Sequence, residues 1–294
     1  MIVTNSSLTT FKSCPRKYQI RYIKGYAPSE TKTYLTFGTN MHKLIELWYT
    51  NGKNLELAKK QYLVNANELK SEDMVPLQMI DGYAARYAVE GYESLQCEAR
   101  FEFDLYDPKT NENIDGVKVN GMMDGLMTNI ADGKVILRET KTTSEDISSS
   151  FAPYWEKLKL DSQVSTYLLA VHETAKECLY DVVKKPLLKQ KKEELFEEYL
   201  ERIRLEVLSD LDKYFVRKVI HRSDSEILEN LKDMVRVTKM IQDCEGKSNF
   251  PRYTNSCFSF NSKCPYYDVC CGWESLEDKT KFVKNDDVFG ELKK

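Results

Sequence analysis

The sequence predicts an α/β chain, and three observations predict it. Residues 117–143 read as two strands joined at Asp132-Gly133, a pair that strongly signals a hairpin. Residues 94–106 alternate polar and apolar, with Cys97, Ala99, Phe101, Phe103 and Leu105 on the apolar beat, as a strand does. Much of the remainder carries apolar residues at helical spacing, as in Leu44, Ile45, Leu47 and Trp48.

Composition narrows the class. The 294 residues, 41% of them hydrophobic, suffice to bury a large core. Lys and Arg number 43 against 46 Asp and Glu, a net charge of −3, so any contact with nucleic acid must come from a local patch. No run approaches the length of a membrane span. Met1–Ser6 lacks the charged start and apolar core of a signal peptide, so a cytoplasmic protein without a membrane partner is expected. In that compartment eight cysteines do not form a disulfide framework, and clustered ones become metal candidates.

Taken in order, residues 1–29 contain no acid and five bases, Lys12, Arg16, Lys17, Arg21 and Lys24. Ser6 or Ser7 can cap a short helix carrying Leu8 and Phe11, and Pro15 interrupts it or starts the next turn. Arg16, Lys17 and Arg21 interleave with Tyr18 and Tyr22. That pattern suits a groove where bases stack and phosphates pair; packed tyrosines with solvated bases are the equal alternative. Phe37–His42 leads into a helix in which a lone His42 is ordinarily a hydrogen-bonded core residue. Residues 55–93 read as two helices broken near 71–76, and the second carries Met79, Ile80, Tyr83 and Tyr87. A polar linker over 142–153 precedes a helix with Trp155, Leu158, Val164 and Tyr167, which sets Gln163 and Tyr167 on one face. Residues 184–192 form a basic loop. One amphipathic helix is expected from Glu193 to about Phe215, another from Ser225 to about Asp243, and a loose charged tail over 274–294.

The hairpin holds the chemistry. Its first strand, Val117–Met127, carries Asp124, and its second, Val135–Lys141, ends in Glu139-Thr140-Lys141. Residues i and i+2 of a strand share a face, so Glu139 and Lys141 project together and the hairpin can bring Asp124 beside them. Two carboxylates can hold Mg²⁺ or Mn²⁺. Such a cation acidifies a water and neutralises a phosphodiester, while the lysine orients or deprotonates that water or stabilises the charged phosphate. A solvated Glu–Lys pair at a strand end is the commoner meaning of E-x-K alone. Near the C-terminus, Cys257, Cys264, Cys270 and Cys271 supply three separated thiol positions, one short of a four-thiol site. Cys14 is the distant candidate for the fourth ligand.

These motifs together resemble the PD-(D/E)xK nucleases, specifically the RecB-like iron–sulfur branch. That branch includes the AddB nuclease domain, the CRISPR-adaptation iron–sulfur nucleases and related phage exonucleases. The resemblance spans about residues 5–273. Gly38–His42 matches a G-x-x-x-H motif, G-M-M-D-G supplies Asp124, E-T-K supplies Glu139 and Lys141, and Q-x-x-x-Y supplies Gln163 and Tyr167. Met123 replaces the proline of the family name, with no ligand lost.

The resemblance implies a restriction-endonuclease-like mixed sheet flanked by helices, as one nuclease domain over 1–273. A helical insertion would occupy about 184–250, a cluster-binding segment 257–271, and the charged tail 274–294. It implies His42, Asp124, Glu139 and the Thr140 carbonyl as ligands of Mg²⁺ or Mn²⁺, with Lys141, Gln163 and Tyr167 completing the catalytic set. It implies that Cys14, Cys257, Cys264 and Cys270 bind a [4Fe–4S] cluster stapling the N- and C-terminal segments; Cys271 is the alternative to Cys270. The implied activity is a metal-dependent DNA exonuclease acting on single strands or ends, in recombination, repair or CRISPR-type DNA processing. A helicase, recombinase or integrase is the implied kind of protein partner. The rival readings are a catalytically idle DNA-binding scaffold on a nuclease fold and a zinc-stapled endonuclease.

Overall fold

The computed structural model describes residues 1–29, 33–65, 73–259, 262–289 and 292. The chain forms two compact units. One comprises Met1–Thr31, Arg100–Met122 and Asp224–Lys294; the other comprises Lys32–Ala99 and Met123–Ser223.

In the first unit, helix Asn5–Ser13 is capped by Thr4, whose Oγ1 accepts from Ser7 N at 3.0 Å while Ser7 Oγ accepts from Thr4 N at 2.9 Å. Thr4 therefore caps this helix, where Ser6 or Ser7 was expected, and Ser7 completes the box from inside. Leu8 and Phe11 are buried, and the helix packs on Asp224–Gly246, whose own buried face includes Leu231, Met234 and Ile241. Pro15 starts the next short helix, Pro15–Tyr18, where its missing N–H costs nothing. Strand Ile2–Val3 pairs in parallel with Lys118 and Val119. The expected loose tail contains strand Phe282–Lys284, antiparallel to Tyr26–Pro28; Phe282 is buried with Ile20 and Tyr266. One aromatic suffices to pin this charged segment. Residues 290, 291, 293 and 294 of the tail lie outside the described residues.

The second unit holds a mixed sheet flanked by helices. The end of strand Glu112–Asn129 runs antiparallel to Val135–Thr143, which runs parallel to Ala175–Lys184, which is antiparallel to Phe215–His221. Gly133 closes the hairpin at φ +70°, with Gly133 N bonded to Asn129 O at 2.8 Å. Expected helices appear as Thr33–Thr50, Leu55–Asn65 and Met74–Tyr87. The one expected to carry Trp155, Leu158, Val164 and Tyr167 divides into Pro153–Lys157, the tight turn Leu158–Leu160 and Ser162–Ala170, because extended Asp161 stops the first part and caps the last. Positions 71 and 72 of the expected break lie outside the described residues.

The segment expected to be helical from 193 to 215 divides. Helix Phe196–Ser209 and the turn Leu211–Tyr214 are followed by strand Phe215–His221, within the stretch assigned to a helical insertion. Asp210 is extended and its side chain caps Lys213 N, which ends one periodicity and starts another. Strand alternation puts Ile136, Arg138 and Thr140 on one face and Leu137, Glu139 and Lys141 on the other. Ile136, Leu179 and Val183 meet Phe37, Met41, Leu44, Trp48 and Tyr83 of the helices in one core. Within that face Arg217 Nη2 lies 3.1 Å from Asp181 and 2.7 and 2.8 Å from the Tyr49 and Tyr83 hydroxyls, a buried polar knot beside Thr140's strand partner.

Candidate active site

Register brings the two acidic residues together. Gly125 pairs with Arg138, so continuing by one residue sets Asp124 opposite Glu139. Two close approaches shape this corner. A Cβ on Gly125 would lie 2.8 Å from the Gln96 carbonyl, and a Cβ on Gly38 would lie 3.0 Å from Thr142 Oγ1. The latter glycine sits one turn before His42 on helix Thr33–Thr50 and lets that helix lie against the strand that carries Glu139.

The polar atoms form two hydrogen-bonded runs on adjacent residues. His42 Nδ1 is 3.2 Å from Asp124 Oδ1, Asp124 Oδ2 accepts from Thr140 N at 2.6 Å, and Lys141 Nζ donates to both Glu139 Oε1 and Gln163 Oε1, the latter at 2.7 Å. Gln163 Nε2 then donates to the Tyr167 hydroxyl at 2.8 Å. Asp161 caps the helix bearing both residues by accepting from Gln163 N, which fixes where the amide begins. The structure thus joins His42, Asp124, Glu139, Thr140, Lys141, Gln163 and Tyr167 in one site.

Burial and charge compete here. Glu139 is 2% exposed, and burial pushes its carboxyl up to about 7; Lys141 pulls against that shift and the Asp124 charge adds to it. Burial also opposes ionisation of Asp124, but the hydrogen bond and charge of His42 outweigh it and hold the carboxyl below its usual range. His42 moves up for the reciprocal reason, against its own burial. Burial disfavours the Lys141 ammonium, yet the Glu139 charge dominates and raises it, so it is cationic at neutral pH.

Arg138 was not singled out from the sequence. It is buried, donates from Nη2 to the Asp124 carbonyl at 2.9 Å, and lies 4.4 Å over the Tyr49 ring. A charged residue inside the apolar run V-I-L-R was the available signal, because only a partnered guanidinium stays buried.

Carboxylates converging at one corner are the donors a hard divalent cation takes. Among the described residues, no three His, Cys, Asp or Glu side chains form a ready cation-holding group. Asp124 engages His42 and Thr140 N, and Glu139 engages Lys141. The donor set nevertheless fits a hard cation: two adjacent carboxylates, the buried one (Glu139) pushed toward protonation, gain from a positive charge between them.

The thiols lie in the first unit. Cys14, Cys257, Cys264, Cys270 and Cys271 all line one cavity of about 200 Å³, with Lys17 and Arg252 on its wall. Lining one cavity is not convergence: among the described residues no three of these thiols are grouped so as to hold a metal ion. Tyr253 N lies 3.5 Å from Cys14 Sγ, and Arg252 Nη1 donates to the Cys270 carbonyl at 2.9 Å.

At its two tyrosines the N-terminal strip follows the packing alternative. Tyr18 is 3% exposed and packs edge-on against Phe11, and Tyr22 lies against both Tyr18 and Phe289. Both rings serve packing, because each finds an apolar neighbour within one turn or on the tail. Arg16 Nε donates to the Phe250 carbonyl at 3.1 Å, while Lys17 and Arg21 remain half-exposed.

A family model for the PD-(D/E)XK nuclease superfamily matches residues 3–271, and the chain belongs to that superfamily. Among solved structures it is similar to a candidate exonuclease from Eubacterium rectale, at 15% identity and a TM-score of 0.47, covering 94% of this chain and 89% of that one. It is also similar to a phage-related exonuclease from Haemophilus somnus 129PT, at 14% identity and a TM-score of 0.38, covering 84% and 96%. Neither likeness is close enough to carry a substrate or activity across. No curated protein sequence matches the chain.

Proposed function

We propose that this protein is a metal-dependent DNA exonuclease of the RecB-like iron–sulfur branch, acting on single strands or DNA ends. One observation carries the reading: Asp124, Glu139 and Lys141 meet at one sheet corner and connect through Gln163 to Tyr167. Asp124, Glu139, His42 and the Thr140 carbonyl would hold Mg²⁺ or Mn²⁺. When bound, that cation supplies charge neutralisation at the scissile phosphate and a more acidic water.

The chain's own groups do the rest. His42 fixes the Asp124 carboxylate through Oδ1, and Thr140 N fixes it through Oδ2. Arg138 holds the backbone of Asp124 from behind. Gln163 fixes the Lys141 ammonium, which offers positive charge to the non-bridging phosphate oxygens. Tyr167 orients the Gln163 amide. Lys17 and Arg21 remain proposed phosphate contacts in the first unit. Four of the thiols, Cys14, Cys257, Cys264 and Cys270, would hold the [4Fe–4S] cluster, with Cys271 the alternative to Cys270 at the same cavity.

The test is degradation of end-labelled linear single strands against closed single-stranded circles, with Mg²⁺ or Mn²⁺ and with EDTA. Linear DNA should be degraded only with the cation, and circles should survive. Equal cutting of circles removes the exonuclease assignment. A Glu139→Ala variant that cleaves like wild type removes the site.

A further inference from the structure

The strap from 144 to 161 joins the strand bearing Lys141 to the helix bearing Gln163. It is firmly seated. Ile147 is fully buried, Ala152, Trp155 and Leu158 are nearly so, and Trp155 Nε1 donates to the Ile147 carbonyl at 3.1 Å. The same strap leaves Phe151 90% exposed, so folding gains little from the ring. Single exposed apolar residues are common and alone mean nothing. Phe151, however, has a cation at its side. Lys218 Nζ lies 3.4 Å from the carbonyl of Ser150, the adjacent residue, and 4.0 Å above the Trp155 ring.

Sheet register ties this pair to the active site. Lys218 pairs with Tyr180, and Tyr180 pairs with Glu139 on the next strand. The three residues form one row across the sheet, so Lys218 stands two strand spacings, roughly 10 Å, from Glu139. The residue between them in the row, Tyr180, is 2% exposed and hydrogen-bonded to Tyr154, so it serves as packing beneath the row. An exposed ring and an adjacent ammonium, in register with the catalytic strand, supply what a single strand needs near its scissile bond: a stacked base and a paired phosphate.

We infer that Phe151 and Lys218 form a station that grips the substrate single strand beside the scissile phosphate, the base stacked on Phe151 and the phosphate on Lys218. This rests on the nuclease reading above. The probe is a fluorescein-labelled thymidine 12-mer, with binding read by anisotropy in EDTA and degradation read separately with Mn²⁺. Phe151→Ala should weaken binding by about tenfold, the usual loss when a base-stacking aromatic is truncated, and Phe151→Trp should restore it. Lys218→Gln should lower the salt slope of binding by about one. A series of 12-mers with one abasic position should show, for wild type, a single position whose loss weakens binding; Phe151→Ala should be indifferent to it. Phe151 being a surface group, its variants should keep the wild-type melting temperature. If wild type degrades the 12-mer while Phe151→Ala keeps wild-type affinity and abasic profile, the station is overturned and the nuclease reading stands. If wild type does not degrade DNA under any cation, the nuclease reading itself falls.

Discussion

Glu139 and Lys141 stand on a strand paired on both sides, whereas Cys257, Cys264 and Cys270 stand on or next to elements of two to four residues. Register sets the carboxylates opposite each other before any ligand arrives; His42, Thr140 N and Lys141 hold their oxygens, and Gln163 in turn holds Lys141. The thiol segment has little such support, since elements so short have almost no intrinsic stability. Its ties to the N-terminal helices are the small cluster of Tyr266 with Ile20, which Cys264 and Cys270 border, and hydrogen bonds including Ser256 Oγ to Ser13 O at 2.6 Å and Arg16 N to Pro251 O at 3.1 Å. The difference teaches that the oxygen site is organised by the fold, whereas the thiol site would help to organise it.

The sharpest break between the two is at Lys141. Lys141→Ala should lower cleavage by on the order of 10²–10⁴-fold, the range expected when a positioned polar group is lost, while iron content stays at the wild-type level. Single-turnover degradation and an iron assay on one preparation check this. Melting should fall only modestly, because the buried Glu139 can take up a proton once its partner is gone.

Breaking the thiol region should do the reverse. Cys264→Ala should cost colour and iron and, by analogy with cross-link loss, about 2–4 kcal/mol of stability. Cleavage per folded molecule should change far less than in Lys141→Ala. Anaerobic purification, iron analysis and denaturant unfolding test it; wild-type iron content in Cys264→Ala would remove the ligand assignment. Zinc in place of iron would instead favour the zinc-stapled form.

Arg138→Met should destabilise by about 1.5–3 kcal/mol, since it strips the Asp124 carbonyl of a charged donor in a buried setting. It should also reduce cleavage without touching iron, which chemical denaturation and rate measurements would show together. The smallest expected effect is at Thr4. Thr4→Ala removes the cap of helix Asn5–Ser13 and should cost about 1 kcal/mol, with cleavage unchanged and iron retained. A large loss of iron in that variant would mean that Cys14 depends on the helix far more than its cap energy suggests.

The legible and illegible parts of the fold differ by physics. The hairpin was readable because Asp132-Gly133 announces a turn and period-two alternation then puts Glu139 and Lys141 on one face. Strand Ala175–Lys184 was missed because it is buried along most of its length, so no polar–apolar beat marks it, and Asp181 interrupts its apolar run. Its neighbour Phe215–His221 was absorbed into a helix because Phe215 extends the stripe of Phe196–Ser209 by spacing alone. The site motifs gave every member of the two hydrogen-bonded runs at the corner, but Arg138 reaches the Asp124 carbonyl through strand register, which one sequence does not display. Tyr18 and Tyr22 carried the composition of a stacking surface, yet composition does not say which side of a helix faces the core.

The approach of Gly38 to Thr142 makes the site a matter of mechanical tolerance. This glycine has no left-handed backbone to explain it; what it supplies is clearance. One added methyl would press on Thr142 Oγ1 and lift the helix by a few tenths of an ångström, too little to unfold a core containing Leu44, Ile45 and Trp48. The same lift, carried one turn along a stiff rod, would arrive at a 3.2 Å contact between His42 and Asp124 that has almost no slack. A fold so built can absorb the error while its chemistry cannot, so the first symptom of wear at this joint would be an intact enzyme that no longer aligns.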